Sequence, residues 1–144
     1  MKNILFNSNK VEVRPSSIHG LGVFATQDIQ KGDTIEECPI ILSSGLLMRC
    51  PNIKHYCYRW DTKVFTQVIA VALGYGSIYN CAEDGNAEVD KIKEPIPYIK
   101  FIAKKDIKKD EEITWRYTFH VTGAFKKKNA GLGLAQTNLN ESNT

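Results

Sequence analysis

The apolar run Val68-Ile69-Ala70-Val71-Ala72-Leu73 passes directly into Gly74-Tyr75-Gly76, and two amides, Asn80 and Asn86, follow within ten residues. An apolar lead-in of this kind promises a buried element. Two glycines then permit close approach of backbone to backbone or to a ligand. A buried amide costs roughly 1–3 kcal/mol unless its hydrogen bonds are made. This stretch therefore demands a fold that presents partners to Asn80 and Asn86, either as loop caps or as contacts to a polar ligand.

The flanking chain reads as short strands separated by turns. Lys10 to Arg14 alternates polar and apolar and is expected to stop at Pro15, and Leu21 to Thr26 follows the turn Ser16-Ser17-Ile18-His19-Gly20. Thr34 to Cys38 and the apolar run Pro39 to Leu42 follow Gln30-Lys31-Gly32-Asp33. Residues 43–55 read as irregular with room for one helical turn, and β-branched Val64, Val68, Ile69 and Val71 favour strand over helix in 65–73. Tyr98 to Ile102 and Ile113 to Tyr117 complete the set, either side of a charged turn at 104–112. The expectation is one mainly β domain, with a loose Asn/Ser/Thr-rich tail beyond it.

Composition narrows the function classes. A chain of 144 residues with 42% hydrophobic and 24% charged residues suits one soluble globular domain. The net charge of +3 is mild, and the dense basic run Lys126-Lys127-Lys128 reads as a solvated tail, so direct nucleic-acid binding is not expected. No stretch reaches the roughly 18–20 apolar residues of a membrane span, and the N-terminal apolar segment is too short for a secretory signal. A reducing compartment is expected. Cys38, Cys50, Cys57 and Cys81 form no C-x-x-C pair, so buried thiols rather than a metal site are expected.

Three stretches could carry chemistry. Gly20-Leu21-Gly22-Val23-Phe24-Ala25 satisfies G-x-G-x-x-A, but a turn follows where a dinucleotide-binding unit needs a helix. The second is the glycine- and amide-rich stretch from Gly74. In the third, Ile113, Trp115 and Tyr117 share one strand face. Taken singly, the first reads as a tight turn between strands and the third as core more readily than as a functional site.

Taken in order, they resemble the SET-domain protein lysine methyltransferases over residues 9–119: Ile18-His19-Gly20-Leu21-Gly22-Val23-Phe24-Ala25, then Ile35-Glu36-Glu37, then Ala72-Leu73-Gly74-Tyr75-Gly76-Ser77-Ile78-Tyr79-Asn80 with Asn86-Ala87, then Asp110-Glu111-Glu112-Ile113-Thr114 leading to Tyr117. The likeness is greatest to the minimal, virus-type SET proteins. It implies a β-clip fold of short strands in small sheets, with a C-terminal pseudoknot beside the methyl-donor pocket and a partly disordered extension at 120–144. It further implies S-adenosyl-L-methionine held by Asn80 and the backbone at Cys81, with Gly20 and Gly22 lining the pocket and Phe119 packing on the adenine. Tyr117 falls on the catalytic tyrosine, and Tyr56 and Trp115 on aromatics of the lysine channel. The partners implied are a protein or peptide presenting a lysine, possibly a histone, and a second copy in a homodimer. The location implied is cytoplasmic, or a host nucleus for a histone substrate.

The chain departs from the family pattern at Asn80-Cys81-Ala82, where Asn-His-Ser is usual, at Gly85-Asn86, where Pro-Asn is usual, and at Thr118, where glycine is common. Gly85 in place of proline is expected to loosen its loop. Two other classes fit the same residues: a degenerate SET module that binds peptide or cofactor without turnover, and a β-rich interaction protein.

Overall fold

The computed structural model describes residues 8–63 and 66–117. Among them run nine strands: β1 (Val11–Pro15), β2 (Leu21–Ala25), β3 (Thr34–Ser44), β4 (Cys57–Lys63), β5 (Thr66–Ala72), β6 (Asn80–Cys81), β7 (Ala87–Ile92), β8 (Tyr98–Ala103) and β9 (Glu112–Trp115). Two short 3-10 turns, Gly45–Arg49 and Lys54–Tyr56, separate β3 from β4. The strands hydrogen-bond in the order β1-β2-β9-β7-β8-β3-β5-β4, with β6 beside β9. This is the expected mainly β fold of small, mixed sheets.

Strand β3 joins the two halves. Its first half pairs antiparallel with β8, Thr34 opposite Ile102 through Pro39 opposite Tyr98. Its second half pairs with β5, from Ile40 opposite Ala72 to Ser44 opposite Val68. Pro39, which lacks an N–H, sits where the strand changes partner, so the ladder tolerates it. Thr34 to Cys38 and the apolar run from Pro39 to Leu42 are thus one strand. Likewise β1 runs through Pro15, its last residue, on the outer strand of the sheet.

Strand β9 lies between β2, to which it is antiparallel, and β6 and β7, to which it is parallel. A parallel neighbour needs a long connection, and here residues 82–111 supply it. Asn80 and Cys81 thereby lie parallel beside Thr114 and Trp115, where the chain crosses back past the segment carrying Asn80. Two short sequences of the same form, Asp28-Ile29-Gln30-Lys31 and Asp106-Ile107-Lys108-Lys109, lock this crossing reciprocally. Ile29 and Ile107 exchange backbone hydrogen bonds of 2.8 Å each way. Asp106 accepts from the Lys31 N–H at 2.8 Å and Asp28 from the Lys109 N–H at 2.9 Å.

The core gathers Val23, Ile29, Ile35, Ile99, Phe101, Ile107 and Ile113 with Tyr79. Strands β4 and β7 were not expected. Both alternate: Tyr58 and Trp60 are buried between half-exposed neighbours, and Glu88 and Asp90 face solvent on β7. Acids depress strand propensity and hide this pattern in β7.

Candidate active site

Both amides of the glycine-rich stretch are buried, Asn80 to 1% exposure and Asn86 to 4%, and both are bonded. Asn86 stands in for a strand partner of β9. Its Oδ1 accepts from the Thr114 N–H at 2.9 Å, and its Nδ2 donates to the Glu112 carbonyl at 2.9 Å and to Glu111 Oε1 at 3.1 Å. Asn80 ties three segments together. Its Nδ2 lies within hydrogen-bonding distance of Glu112 Oε1 (2.8 Å), the carbonyls of Leu21 (3.0 Å) and His19 (3.2 Å), and Ser16 Oγ (3.2 Å). Its amide nitrogen therefore shapes the glycine loop from within.

The loop itself turns at Gly20, whose φ of 47° lies in the region that favours glycine, and the Ser16 N–H closes it on the Gly20 carbonyl at 2.8 Å. Ser16 Oγ donates to the Glu112 carboxylate, 2.8 Å from one oxygen and 2.9 Å from the other. At Gly22 a Cβ would come within 2.2 Å of Glu112 Oε1. The close approach that glycine permits there is taken up by this carboxylate. Neither Ser16 nor Glu112 stood out in the sequence, because the two meet only across 96 residues of intervening chain.

Cys81 extends β6 along Trp115. Its buried thiol accepts from the Tyr117 N–H at 3.5 Å, so the side chain replacing the family's usual histidine touches the backbone of the candidate catalytic residue. The Tyr117 hydroxyl donates to the Tyr79 carbonyl at 2.6 Å. Enclosure pushes the phenol pKa well above its usual value, and Cys81 and Tyr56 push the same way. Tyr117 is thus a neutral hydroxyl at ordinary pH.

Around it stand aromatic rings. Trp115 lies 4.6 Å from Tyr117, centroid to centroid, and stacks on Tyr58 at 5.3 Å with planes 14° apart. Tyr58 donates to the Gly76 carbonyl, and Ser77 Oγ lies within hydrogen-bonding distance of the Ala72 carbonyl (2.9 Å) and the Tyr56 carbonyl (3.2 Å). Burial raises the Tyr56 and Tyr58 pKa values as well. Tyr58 belongs to this cluster and was missed; the Tyr58/Trp60 alternation was its signal. The buried Trp115 indole N–H has the Tyr58 hydroxyl as its hydrogen-bonding neighbour. The structure thus brings together Gly20, Gly22 and Asn80 on one side, and Cys81, Trp115, Tyr117 and Tyr56 on the other, joined through β6 and β9. Phe119, Thr118 and the expected extension at 120–144 lie outside the described residues.

Gly85 is buried against β9. A Cβ there would meet Trp115 Cα at 2.6 Å and the Thr114 carbonyl oxygen at 2.8 Å. The absence of a side chain lets the loop lie on the backbone of β9, a packing role that the expected loosening did not include.

A family model described as the SET domain matches residues 20–118. The chain is 26% identical over 128 residues to a Plasmodium falciparum (isolate 3D7) protein named "Putative histone-lysine N-methyltransferase 1", covering 82% of this chain and 2% of that protein. It superposes with a TM-score of 0.64 on the crystal structure of a Plasmodium falciparum protein described, with the same qualifier, as a histone methyltransferase. That match has 29% identity over 78% of this chain and 96% of the other. A humanized mutant of the Chaetomium thermophilum Polycomb Repressive Complex 2, bound to an inhibitor, matches with a TM-score of 0.64 and 26% identity, over 77% of this chain and 15% of that one.

Proposed function

The chain belongs to the SET-domain family, and from this we propose that it is an S-adenosyl-L-methionine-dependent protein lysine methyltransferase, with histones as its candidate substrates. The observation that carries the proposal is the Tyr117 hydroxyl, held on the Tyr79 carbonyl at 2.6 Å within the Trp115, Tyr58 and Tyr56 cluster. The descriptions of its relatives as histone methyltransferases support the substrate class. A nuclear location would follow from a histone substrate, and a cytoplasmic one from another protein. Among the described residues, no helix is long and apolar enough to cross a membrane.

The residues fit the methyl donor by the chemistry of their donors. The Gly20–Gly22 turn and the Asn80–Cys81 strand present uncharged backbone, with the Asn80 amide tying the two together through the His19 and Leu21 carbonyls. In this reading Gly20, Gly22 and the Asn80–Cys81 backbone hold the cofactor, and the Asn80 side chain keeps the loop in shape. Phe119 is retained as the candidate for adenine packing. When bound there, S-adenosyl-L-methionine would supply an electrophilic methyl group to a neutral lysine amine, with sulfur as the leaving group.

The protein's part is positioning and desolvation. A lysine with the usual pKa of about 10.4 needs on the order of 4 kcal/mol to lose its proton at neutral pH, and an aromatic-walled channel disfavours its charged form. Tyr117 is a neutral phenol whose own proton lies on Tyr79, so its oxygen lone pairs can accept an amine N–H and aim the nitrogen. It is no base; the substrate proton leaves to water. The rings of Tyr56, Tyr58 and Trp115 tolerate a methylated ammonium through cation–π attraction.

The test is transfer of tritium from labelled S-adenosyl-L-methionine to recombinant core histones, with calorimetry for cofactor binding. Binding without transfer to histones or to a cell-lysate protein mixture would favour the non-catalytic SET module, and absence of binding at millimolar cofactor would remove the reading altogether. A symmetric homodimer is part of the proposal, supported by exposed Ile41, Leu42 and Leu73 on β3 and just after β5. Sedimentation of a clean 16.2 kDa species at micromolar concentration would argue against it.

A further inference from the structure

Glu36 on β3 is 3% exposed, and the chemistry above never touches it. A buried carboxylate is costly unless donors surround it. Here Oε1 accepts from the Tyr75 N–H at 3.0 Å and Oε2 from the Tyr79 hydroxyl at 2.8 Å, and the Cys38 thiol is a third neighbour. The first bond pins the turn at Gly74, where φ is 63° and a Cβ would stand 2.6 Å from that same oxygen. The second holds the Tyr79 side chain, whose ring stacks on Phe101 at 4.1 Å.

Three site tyrosines hang on the short segment that Glu36 anchors at both ends. The Gly76 carbonyl takes the Tyr58 hydroxyl, and Ser77 Oγ, 2.9 Å from the Ala72 carbonyl, also reaches the Tyr56 carbonyl at 3.2 Å. The Tyr79 carbonyl takes the Tyr117 hydroxyl at 2.6 Å. We infer that Glu36 is a positioning residue for the site: through Tyr79 and the 74–79 turn it sets the direction of the Tyr117 hydroxyl. The inference rests on reading Tyr117 as the group that aims the substrate amine. A displacement of about 1 Å at such a group can cost about a hundredfold in rate, so a rigid, buried anchor remote from the reacting atoms has a use.

The experiment compares wild type, Glu36→Gln and Tyr79→Phe. Gln keeps an oxygen for the Tyr75 N–H but turns an NH2 toward Tyr79, which removes the acceptor that the Tyr79 hydroxyl donates to and reverses that bond. Tyr79→Phe keeps the ring stack on Phe101 and loses the bond to Glu36, so it carries the test if Glu36→Gln does not fold. Transfer is measured with tritiated S-adenosyl-L-methionine and recombinant core histones. Separately, 3-fluorotyrosine placed at position 117 reports the surroundings of that hydroxyl by its 19F resonance. Both variants should lower kcat about tenfold or more while the KM for the cofactor stays within about twofold. Adding Tyr79→Phe to Tyr117→Phe should then cost little more than Tyr117→Phe alone, because both act through one hydroxyl. The 19F resonance should move in both variants. An unmoved resonance, or losses that multiply in the double variant, would overturn the inference and leave Glu36 a stability residue only. If wild type transfers no methyl group, the functional reading fails on its own, and the 19F comparison alone decides whether Glu36 positions Tyr117.

Discussion

The hydroxyl of Tyr117 reaches the backbone carbonyl of Tyr79, 38 residues earlier in the chain, at 2.6 Å. The bond joins β9's end to the residue preceding β6, across the parallel crossing. Tyr117→Phe would keep the ring contact with Trp115 and delete this one donor. Stability should change by about 1 kcal/mol and cofactor affinity little. Methyl transfer should fall by roughly a hundredfold, the scale of losing one well-placed polar group. Turnover, cofactor calorimetry and melting on one preparation check all three. Undiminished transfer in a folded variant would move the role to Tyr56, whose neighbourhood already influences Tyr117.

Asn80 and Asn86 are both buried, yet their partners differ. Asn80 gathers the glycine loop through the His19 and Leu21 carbonyls, whereas Asn86 completes the backbone ladder of β9. Each substitution by Ala should cost roughly 1–3 kcal/mol of stability. Only Asn80→Ala should also weaken S-adenosyl-L-methionine binding out of proportion to its melting loss. Calorimetry on the two variants at one temperature, well below both melting points, separates the outcomes; equal loss of affinity would mean that Asn80 acts through global stability.

Much of this was legible in the sequence because it depended on local pattern. Alternation marked β1, the turn before Leu21 marked β2, β-branched residues marked β5, and the ordered motifs around Gly20, Asn80 and Tyr117 marked the fold. What escaped depended on contacts distant in sequence. Glu112 meets Ser16 across 96 residues, and Glu36 meets Tyr79 across 43. No periodicity links such pairs. Nor could the sequence distinguish an amide that touches a ligand from one that shapes the loop around it, since both need a buried Asn. Gly85 shows the same limit: its role becomes visible only when β9 is laid against it.

Gly85 offers a test in which two effects oppose each other. Proline or alanine there restricts the unfolded chain and would stabilise by about 0.4–1 kcal/mol if the folded loop accepted it. The added Cβ, however, would stand 2.6 Å from Trp115 Cα and 2.8 Å from the Thr114 carbonyl, both main-chain atoms that cannot rotate away. Overpacking of this kind costs typically 1–3 kcal/mol, so the clash wins. Gly85→Ala should lower the melting temperature by several degrees. A variant as stable as wild type would show that the loop lifts from β9 without cost.

The last prediction concerns pH. Burial raises the Glu36 pKa above its ordinary 4.5, opposed only in part by the Tyr75 N–H, the Tyr79 hydroxyl and the Cys38 thiol. Cys38 and Tyr79 are themselves pushed upward and stay neutral across the range concerned. Between 4.5 and the raised value, the folded chain therefore binds more protons at this site than the unfolded chain. Stability from Glu36 must then fall as pH rises through that window and level off above it. The exposed carboxylates Asp28 and Asp84 work in the opposite direction, because their lowered pKa values make stability fall as pH drops through and below the usual Asp range. Wild type alone would mix these trends, so the difference between wild type and Glu36→Gln is the quantity to follow. Melting curves of both proteins from about pH 4 to pH 8 should show wild type losing ground to the variant as pH rises, then running parallel to it. A difference that stays flat, or grows in favour of wild type with rising pH, would mean that the donors around Glu36 outweigh its burial and that it folds as a fully ionised anchor.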